Sequence, residues 1–169
     1  MMMRRMFPLS DRREDTFIAG LSMGGFGALR NGIVYGDTFS RAIGLSSAVH
    51  VFEEDLHQLP QDDSLFGDPN TALTTDINPK VAWLERAARA KEDPSIRMPE
   101  FYMACGTEDF LLEANRRFRD FLLANGASVH YEEEPGGHEW DFWDRQIKKV
   151  VDWLPLEESS QGLSSGNVK

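Results

Sequence analysis

Three glycines crowd around one serine in FIAGLSMGGFGAL, residues 17–29. Glycine costs backbone entropy in strands and helices alike. Its clustering where an apolar run meets a helix-like run therefore demands a steric reason. Gly20-Leu21-Ser22-Met23-Gly24 fits G-x-S-x-G, a strand-to-helix turn so sharp that side chains two residues either side of the serine collide. Gly25 lets the following helix pack close to the sheet. Such a turn holds its serine in a strained conformation, with the hydroxyl at the carboxyl end of the strand and above a helix N-terminus. A pentapeptide recurs by chance, and a glycine-rich turn with a passenger serine stays open until other groups are placed.

The rest of the chain supplies the frame. Residues 16–21 read as a short buried strand and 23–35 as a helix with Met23, Phe26, Leu29 and Ile33 on one stripe. A second strand is expected at 41–46, then a polar, proline-marked stretch over 48–78. Asn78-Pro79 begins a helix, Asn as N-cap, with Val81, Leu84 and Ala88 as its apolar face. A third strand follows at 101–105 and an amphipathic helix at 111–124, stopped by Asn125-Gly126. Residues 128–133 alternate, as suits a half-exposed strand near an edge. The last helix starts near Glu139, with Trp140, Trp143, Ile147, Val150, Val151 and Leu154 as its stripe. Residues 1–154 form one domain, and 155–169, polar and Ser/Gly-rich, a flexible tail. Strand–helix alternation predicts an α/β fold: about four parallel strands flanked by helices on both faces.

A serine needs a base, and the base an orienting acid. After a G-x-S-x-G turn the chain order is Ser, then Asp or Glu, then His. His50 and His57 come too early. His130 lies on the polar side of the alternating strand and reads as solvated. His138 follows Pro135-Gly136-Gly137 after the last strand, where it can reach over the carboxyl edge of the sheet. For the acid, Glu108 and Asp109 both follow the third strand. Asp109 sits where the loop turns into the next helix and is preferred, though it also suits a helix cap. Asp120, Asp141 and Asp144 fall inside helices, as surface charges. Phe110 and Trp140 lie near this site; their bulk favours a core role over lining an acyl pocket.

A net charge of −10 argues against binding a phosphate backbone, so no nucleic-acid partner is expected, and Arg4, Arg5, Arg12 and Arg13 read as solvated surface. The single cysteine, Cys105, excludes an internal disulfide and reads as a small buried hydrophobe. No apolar run is long enough to span a membrane, no secretory signal is evident, and the default compartment is the cytoplasm. His138-Glu139 is not H-E-x-x-H and no Cys/His pair has zinc spacing, so neither metal nor cofactor is expected.

REDTFIAGLSMGGFGAL (13–29), CGTEDFLLEANRRF (105–118) and GGHEWDFWDRQI (136–147) together resemble the esterase D-like branch of the α/β-hydrolase superfamily, particularly its tributyrin esterase type. The resemblance implies Ser22 as nucleophile, Asp109 as acid, His138 as base and the Met23 backbone N–H as one oxyanion donor. It implies hydrolysis of short-chain carboxylic esters, with S-formylglutathione and feruloyl esters as substrates of relatives; GGHEWDFW is closer to the simple acyl-esterase branch. The departure lies at the amino end. The family's serine strand is the fifth of about eight, yet only 15 residues precede Thr16. The expectation is a partial α/β-hydrolase fold lacking the N-terminal strands and the loop that gives the second oxyanion donor. A bare strand edge invites pairing with another copy or a partner chain. The expected function is a serine esterase. The alternatives are an impaired fragment acting as a subunit or partner-binding remnant, and an S-formylglutathione hydrolase or acyltransferase of the same fold.

Overall fold

A computed structural model describes residues 10–52 and 74–156. The expected strands form as β1 (Phe17–Leu21), β2 (Arg41–Leu45), β3 (Glu100–Gly106) and β4 (Val129–Glu134). The helices are α1 (Met23–Val34), α2 (Pro79–Glu92), α3 (Leu112–Ala124) and α4 (Trp140–Trp153). The 48–78 stretch opens with a 3-10 turn, Val49–Phe52, and its centre lies outside the described residues. So do Arg4, Arg5, His57 and all of the tail beyond Leu156.

All neighbouring strands pair in parallel, in the order β1-β2-β3-β4. Phe17 faces Arg41, Arg41 faces Glu100 and Phe101 faces Val129, so the strands advance in step and end on one rim. Alternate residues point to opposite faces. Ala42, Phe101 and Met103 meet Leu29 and Ile33 of α1, Trp83 of α2 and Phe118 and Leu122 of α3. Ile43, Leu45, Tyr102 and Ala104 meet Phe142, Trp143 and Val150 of α4. Among the described residues helices thus cover both faces, three on one and one on the other. Cys105 is fully buried beside Ala48 and Leu111, as its sequence context predicts. Among the described residues no helix is long and apolar enough to cross a membrane.

α2 buries a face other than the one periodicity predicts, and α4 buries Trp143 and Val150 of its predicted stripe but not the rest. In α2 the buried residues are Pro79, Ala82, Trp83 and Arg86, and Leu84 is 47% exposed. Trp83 packs edge-on against Phe101 with ring centroids 5.5 Å apart, and its indole N–H donates to Asn125 O at 3.2 Å. Arg86 can be buried because its donors reach Arg97 O (2.9 Å), Val34 O (3.3 Å) and the Asp37 carboxylate (2.6 Å). The large aromatic and a satisfied guanidinium thus set the phase that Leu84 alone suggested otherwise. In α4, Trp140, Ile147 and Val151 face water, while Phe142, Trp143, Gln146 and Val150 are buried. Gln146 belongs inside because its amide donates to Glu134 Oε2 at 2.9 Å and accepts from Tyr102 Oη–H at 3.2 Å. The Asn78 cap is as predicted, accepting from Lys80 N at 3.0 Å. Arg12 is exposed, whereas Arg13 is no mere surface charge. It donates to Gly36 O at 2.6 Å and Met98 O at 2.9 Å, joining the start of β1 to the loops before β2 and β3.

β1 is an edge strand with one neighbour among the described residues. Thr16 O accepts from Ser40 N and Ser22 N donates to Leu45 O, so these even-numbered positions face the β2 side. The amides of Phe17, Ala19 and Leu21 therefore point the other way, and the Ala19 side chain is exposed.

The phase of α2 is directly testable. Trp83→Ala is expected to cost about 3–5 kcal/mol by loss of buried volume. Leu84→Ala should change stability by no more than about 0.5 kcal/mol. Urea unfolding of both variants checks the pair.

Candidate active site

β1 ends at Leu21 and α1 begins at Met23, leaving Ser22 alone in the turn at φ +54°, ψ −122°. This left-handed conformation is costly for a residue with a Cβ. Three backbone hydrogen bonds hold it. Ser22 N donates to Leu45 O at 2.9 Å, and Ser22 O accepts from Phe26 N at 3.1 Å and Ala48 N at 3.0 Å. A Cβ on Gly20 would sit 2.1 Å from Gly24 O, so the turn closes only over a glycine there. Gly24 differs from the expectation: a Cβ on it meets nothing within 4 Å, so the crowding is one-sided. At Gly25 a Cβ would come within 2.6 Å of Ser47 Oγ and 3.2 Å of Leu45 O, which accounts for the close packing of α1.

The loop after β2 is itself braced. Asn115 of α3 accepts from Ser47 N at 3.1 Å and donates to Ser47 O at 2.9 Å. Ser46 takes φ +45°, and its hydroxyl accepts from the Trp143 indole N–H at 3.1 Å. Met23 N, the first amide of α1, makes no hydrogen bond among the described residues, as the open end of a helix allows.

His138 sits in the loop between β4 and α4. Its Nε2 lies 2.9 Å from Ser22 Oγ and its Nδ1 3.0 Å from Asp109 Oδ2. A carboxylate only accepts. The tautomer that fits both contacts carries hydrogen on Nδ1 and leaves Nε2 to accept from the serine. Asp109 is buried at the end of β3, and its second oxygen accepts from Leu111 N at 2.9 Å. It is not the cap of α3, whose N-cap is Leu111; it braces the preceding turn and meets the imidazole at once. Trp143 stands edge-on to the imidazole at 5.0 Å and Phe110 lies against it at 4.9 Å. Contrary to their expected core role, Phe110 and Trp140 are 77% and 73% exposed, and with the exposed Met23 they make an apolar rim beside His138. Both follow polar loop residues at the carboxyl edge, where no helix among the described residues covers them.

The other candidates fall elsewhere. Glu108 is exposed and bonds Gly136 N rather than His138. His130 pairs with Glu132 at 2.9 Å on the surface. Asp120, Asp141 and Asp144 are exposed. His50 lies in the Val49–Phe52 turn. Sequence pattern alone does not place Ser46, Asn115 and Trp143 at this site. Trp143 carried a signal, lying five residues after His138 in GGHEWDFW. Ser46 and Asn115 carried none, since their contacts arise from an irregular loop. Among the described residues no group of three His, Cys, Asp or Glu could hold a metal.

A parallel sheet with a serine turn and a His–Asp pair on one rim defines the α/β-hydrolase class. The chain belongs to the esterase family described as "Putative esterase", whose model matches residues 3–154. It is 42% identical over 164 residues to an acetyl esterase of Caldicellulosiruptor saccharolyticus, covering 89% of this chain and 58% of that protein. It resembles the S-formylglutathione hydrolase FrmB of Staphylococcus aureus with TM-score 0.75 and 32% identity, covering 90% of this chain and 59% of that one. The substrate-bound fluorophosphonate-binding serine hydrolase F of Staphylococcus aureus matches with TM-score 0.76 and 31% identity, over 90% of this chain and 59% of its own. The chain therefore spans about three fifths of the length of these relatives.

The buried thiol of Cys105 is held in its neutral form. Burial first, and then the Asp109 charge, push the Cys105 thiol up to about 12. A raised thiol value means the neutral form prevails throughout neutral pH, and only the thiolate attacks electrophiles. The folded protein should show no fast-reacting thiol with a chromogenic disulfide at pH 8, and one full equivalent after unfolding in guanidinium.

Proposed function

We propose that the chain is a carboxylic ester hydrolase acting on short-chain acyl esters through an acyl-enzyme on Ser22. The single observation that carries this reading is the line Asp109–His138–Ser22, with contacts of 3.0 and 2.9 Å, drawn from three loops on one rim. Membership of the esterase family supports the reaction class. The acetyl esterase name of a 42% identical relative supports a small acyl group.

His138 Nε2 takes the proton of Ser22 Oγ–H as the oxygen bonds the acyl carbon. The carbonyl electron pair moves onto its oxygen, which faces the free Met23 N–H at the start of α1. Asp109 holds Nδ1–H and so steadies both the tautomer and the cation formed. Collapse restores the carbonyl and breaks the bond to the alcohol oxygen, which takes from His138 the proton that came from Ser22. Water then attacks the acyl-enzyme with the same base, releasing the acid and regenerating Ser22. Met23, Phe110 and Trp140 offer a shallow apolar rim suited to a small acyl or alcohol group.

Purified protein should turn over p-nitrophenyl acetate and butyrate and label with a fluorophosphonate. Ser22→Ala should abolish both, and Asp109→Asn should lower kcat by about 10³–10⁴-fold, leaving the serine oxygen without its base in the right tautomer. Folded protein that neither labels nor turns over these esters would sink the reading. S-formylglutathione belongs in the same assay, because the FrmB likeness favours a thioester substrate as the second reading. Faster hydrolysis of it than of the acyl esters decides for that branch.

We further propose self-association through β1. The outward amides of Phe17, Ala19 and Leu21 offer a self-complementary edge that a second copy can pair with across a two-fold axis. Sedimentation should find a dimer, and Ala19→Pro, which removes one outward N–H, should shift it to monomer. A monomeric parent at concentrations of about 100 µM, where weak specific pairs still associate, ends this proposal.

A further inference from the structure

The hydrolase reading requires the His138 imidazole to stand within hydrogen-bond reach of two groups at once, and yet it hangs on a loop built to be loose. Pro135-Gly136-Gly137 immediately precede it. Two consecutive glycines leave a chain more backbone freedom than any other pair. Gly136 moreover takes φ +145°, a region closed to other residues. Something other than local propensity holds this segment.

The holder is the segment that carries the acid. Thr107 N donates to Glu134 O at 2.9 Å, and Glu108 N donates to Gly136 O at 3.1 Å. In return Gly136 N donates to Glu108 Oε2 in a short hydrogen bond. Glu108 thus grips Gly136 by both its N–H and its C=O. Its other oxygen accepts from Thr107 Oγ1 at 2.8 Å, which fixes the rotamer. A Cβ on Gly106 would lie 2.0 Å from Gly136 O, so the two loops are already at contact distance. Asp109 is the next residue in the chain and His138 is two residues beyond Gly136. The Glu108 side chain therefore adds a third tie, beside two backbone bonds, between the loops that carry acid and base.

We propose that Glu108 is the positioning residue of this site, latching the histidine loop to the aspartate loop so that His138 meets Asp109 and Ser22 together. It touches neither the imidazole nor the serine. Its carboxylate is exposed, so the bond contributes geometry rather than a buried charge pair. The Gly136 N–H, with the Thr107 hydroxyl, holds the Glu108 carboxyl below the usual carboxylate range. A lowered value favours the ionised, stronger acceptor. The latch is therefore fully formed above the ordinary carboxylate value and releases only as pH falls through the lowered one. The charged groups around it are Arg145, which donates to Pro135 O at 2.8 Å, Glu139, which accepts from Gly137 N at 3.1 Å, and Glu134, Asp109 and His138. None of them offers Gly136 N an alternative acceptor among the described contacts.

The inference rests on the hydrolase reading for its purpose, so its test has one arm that needs no turnover. In that arm the His138 Nδ1–H proton, bonded to Asp109, is observed as a downfield resonance by NMR on the full chain, assigned by its loss in His138→Gln. Glu108→Ala should abolish or broaden it, while Glu108→Gln, which keeps an acceptor at the same reach, should retain it. In the kinetic arm Glu108→Ala should lower kcat and the rate of Ser22 labelling by about 10- to 100-fold with KM nearly unchanged, the cost of a slightly misplaced catalytic group. Glu108→Gln should recover most of the loss, at an unchanged melting midpoint. A Glu108→Ala protein with the parental resonance and parental kcat overturns the proposal. So does an equal loss in the Ala and Gln variants, or a loss that tracks a falling melting midpoint. Absent Ser22-dependent turnover in the parent defeats the hydrolase reading instead, and leaves the resonance to decide the latch.

Discussion

Hydrogen bonds between parallel strands impose the constraint on which everything else rests. Because β1, β2, β3 and β4 run the same way and advance in register, their following loops emerge together. Ser22, Ser46, Asp109 and His138 come from four such loops, each after a different strand. Cross-links at the rim keep the loops from drifting: Ser22 N to Leu45 O, Ser46 N to Ala104 O and Thr107 N to Glu134 O. The ladder thus brings together groups separated by 116 residues of chain, the span between His138 and Ser22. Ligands gather at this end of open parallel sheets for that reason.

Packing then tightens what the ladder aligns. α1 can lie close to the sheet only because Gly25 leaves room for Ser47, and Ser47 is held by Asn115 of α3. On the opposite face Trp143 of α4 reaches through to Ser46 and turns its edge to the imidazole. Helices on both faces therefore converge on the same rim, one through a serine backbone and one through an indole. Such support fits a site whose geometry must hold to a fraction of an ångström.

Much of this was legible in the residues. Strand positions were, because short apolar runs bounded by polar loops carry a period-two or all-buried pattern. Ser22, Asp109 and His138 could be picked out because the turn chemistry at Gly20 fixes where the serine points, and chain order then narrows the acid and base. Helix phase was less legible. Leu84 and Ile147 look like core on an apolar scale, but Arg86 and Gln146 displace them once their donors and acceptors find partners. No periodicity encodes whether a guanidinium will be satisfied. The exposure of Phe110 and Trp140 was hidden for a related reason: bulk argues for burial, and only the position of the sheet rim argues against it. Glu108 was visible as a carboxylate beside Asp109, but its partner is a backbone amide, and backbone amides leave no mark on a sequence.

Asp109 joins two demands in one side chain. One oxygen holds the turn that leads into α3, accepting from Leu111 N, and the other meets the imidazole. A lineage released from selection on chemistry would still loosen the turn between β3 and α3 by discarding this carboxylate. Drift can therefore erase the serine or the histidine cheaply, and the acid only at the expense of the scaffold. A silent descendant of such a chain would keep its aspartate longest, and an aspartate at this place attests to architecture before it attests to catalysis.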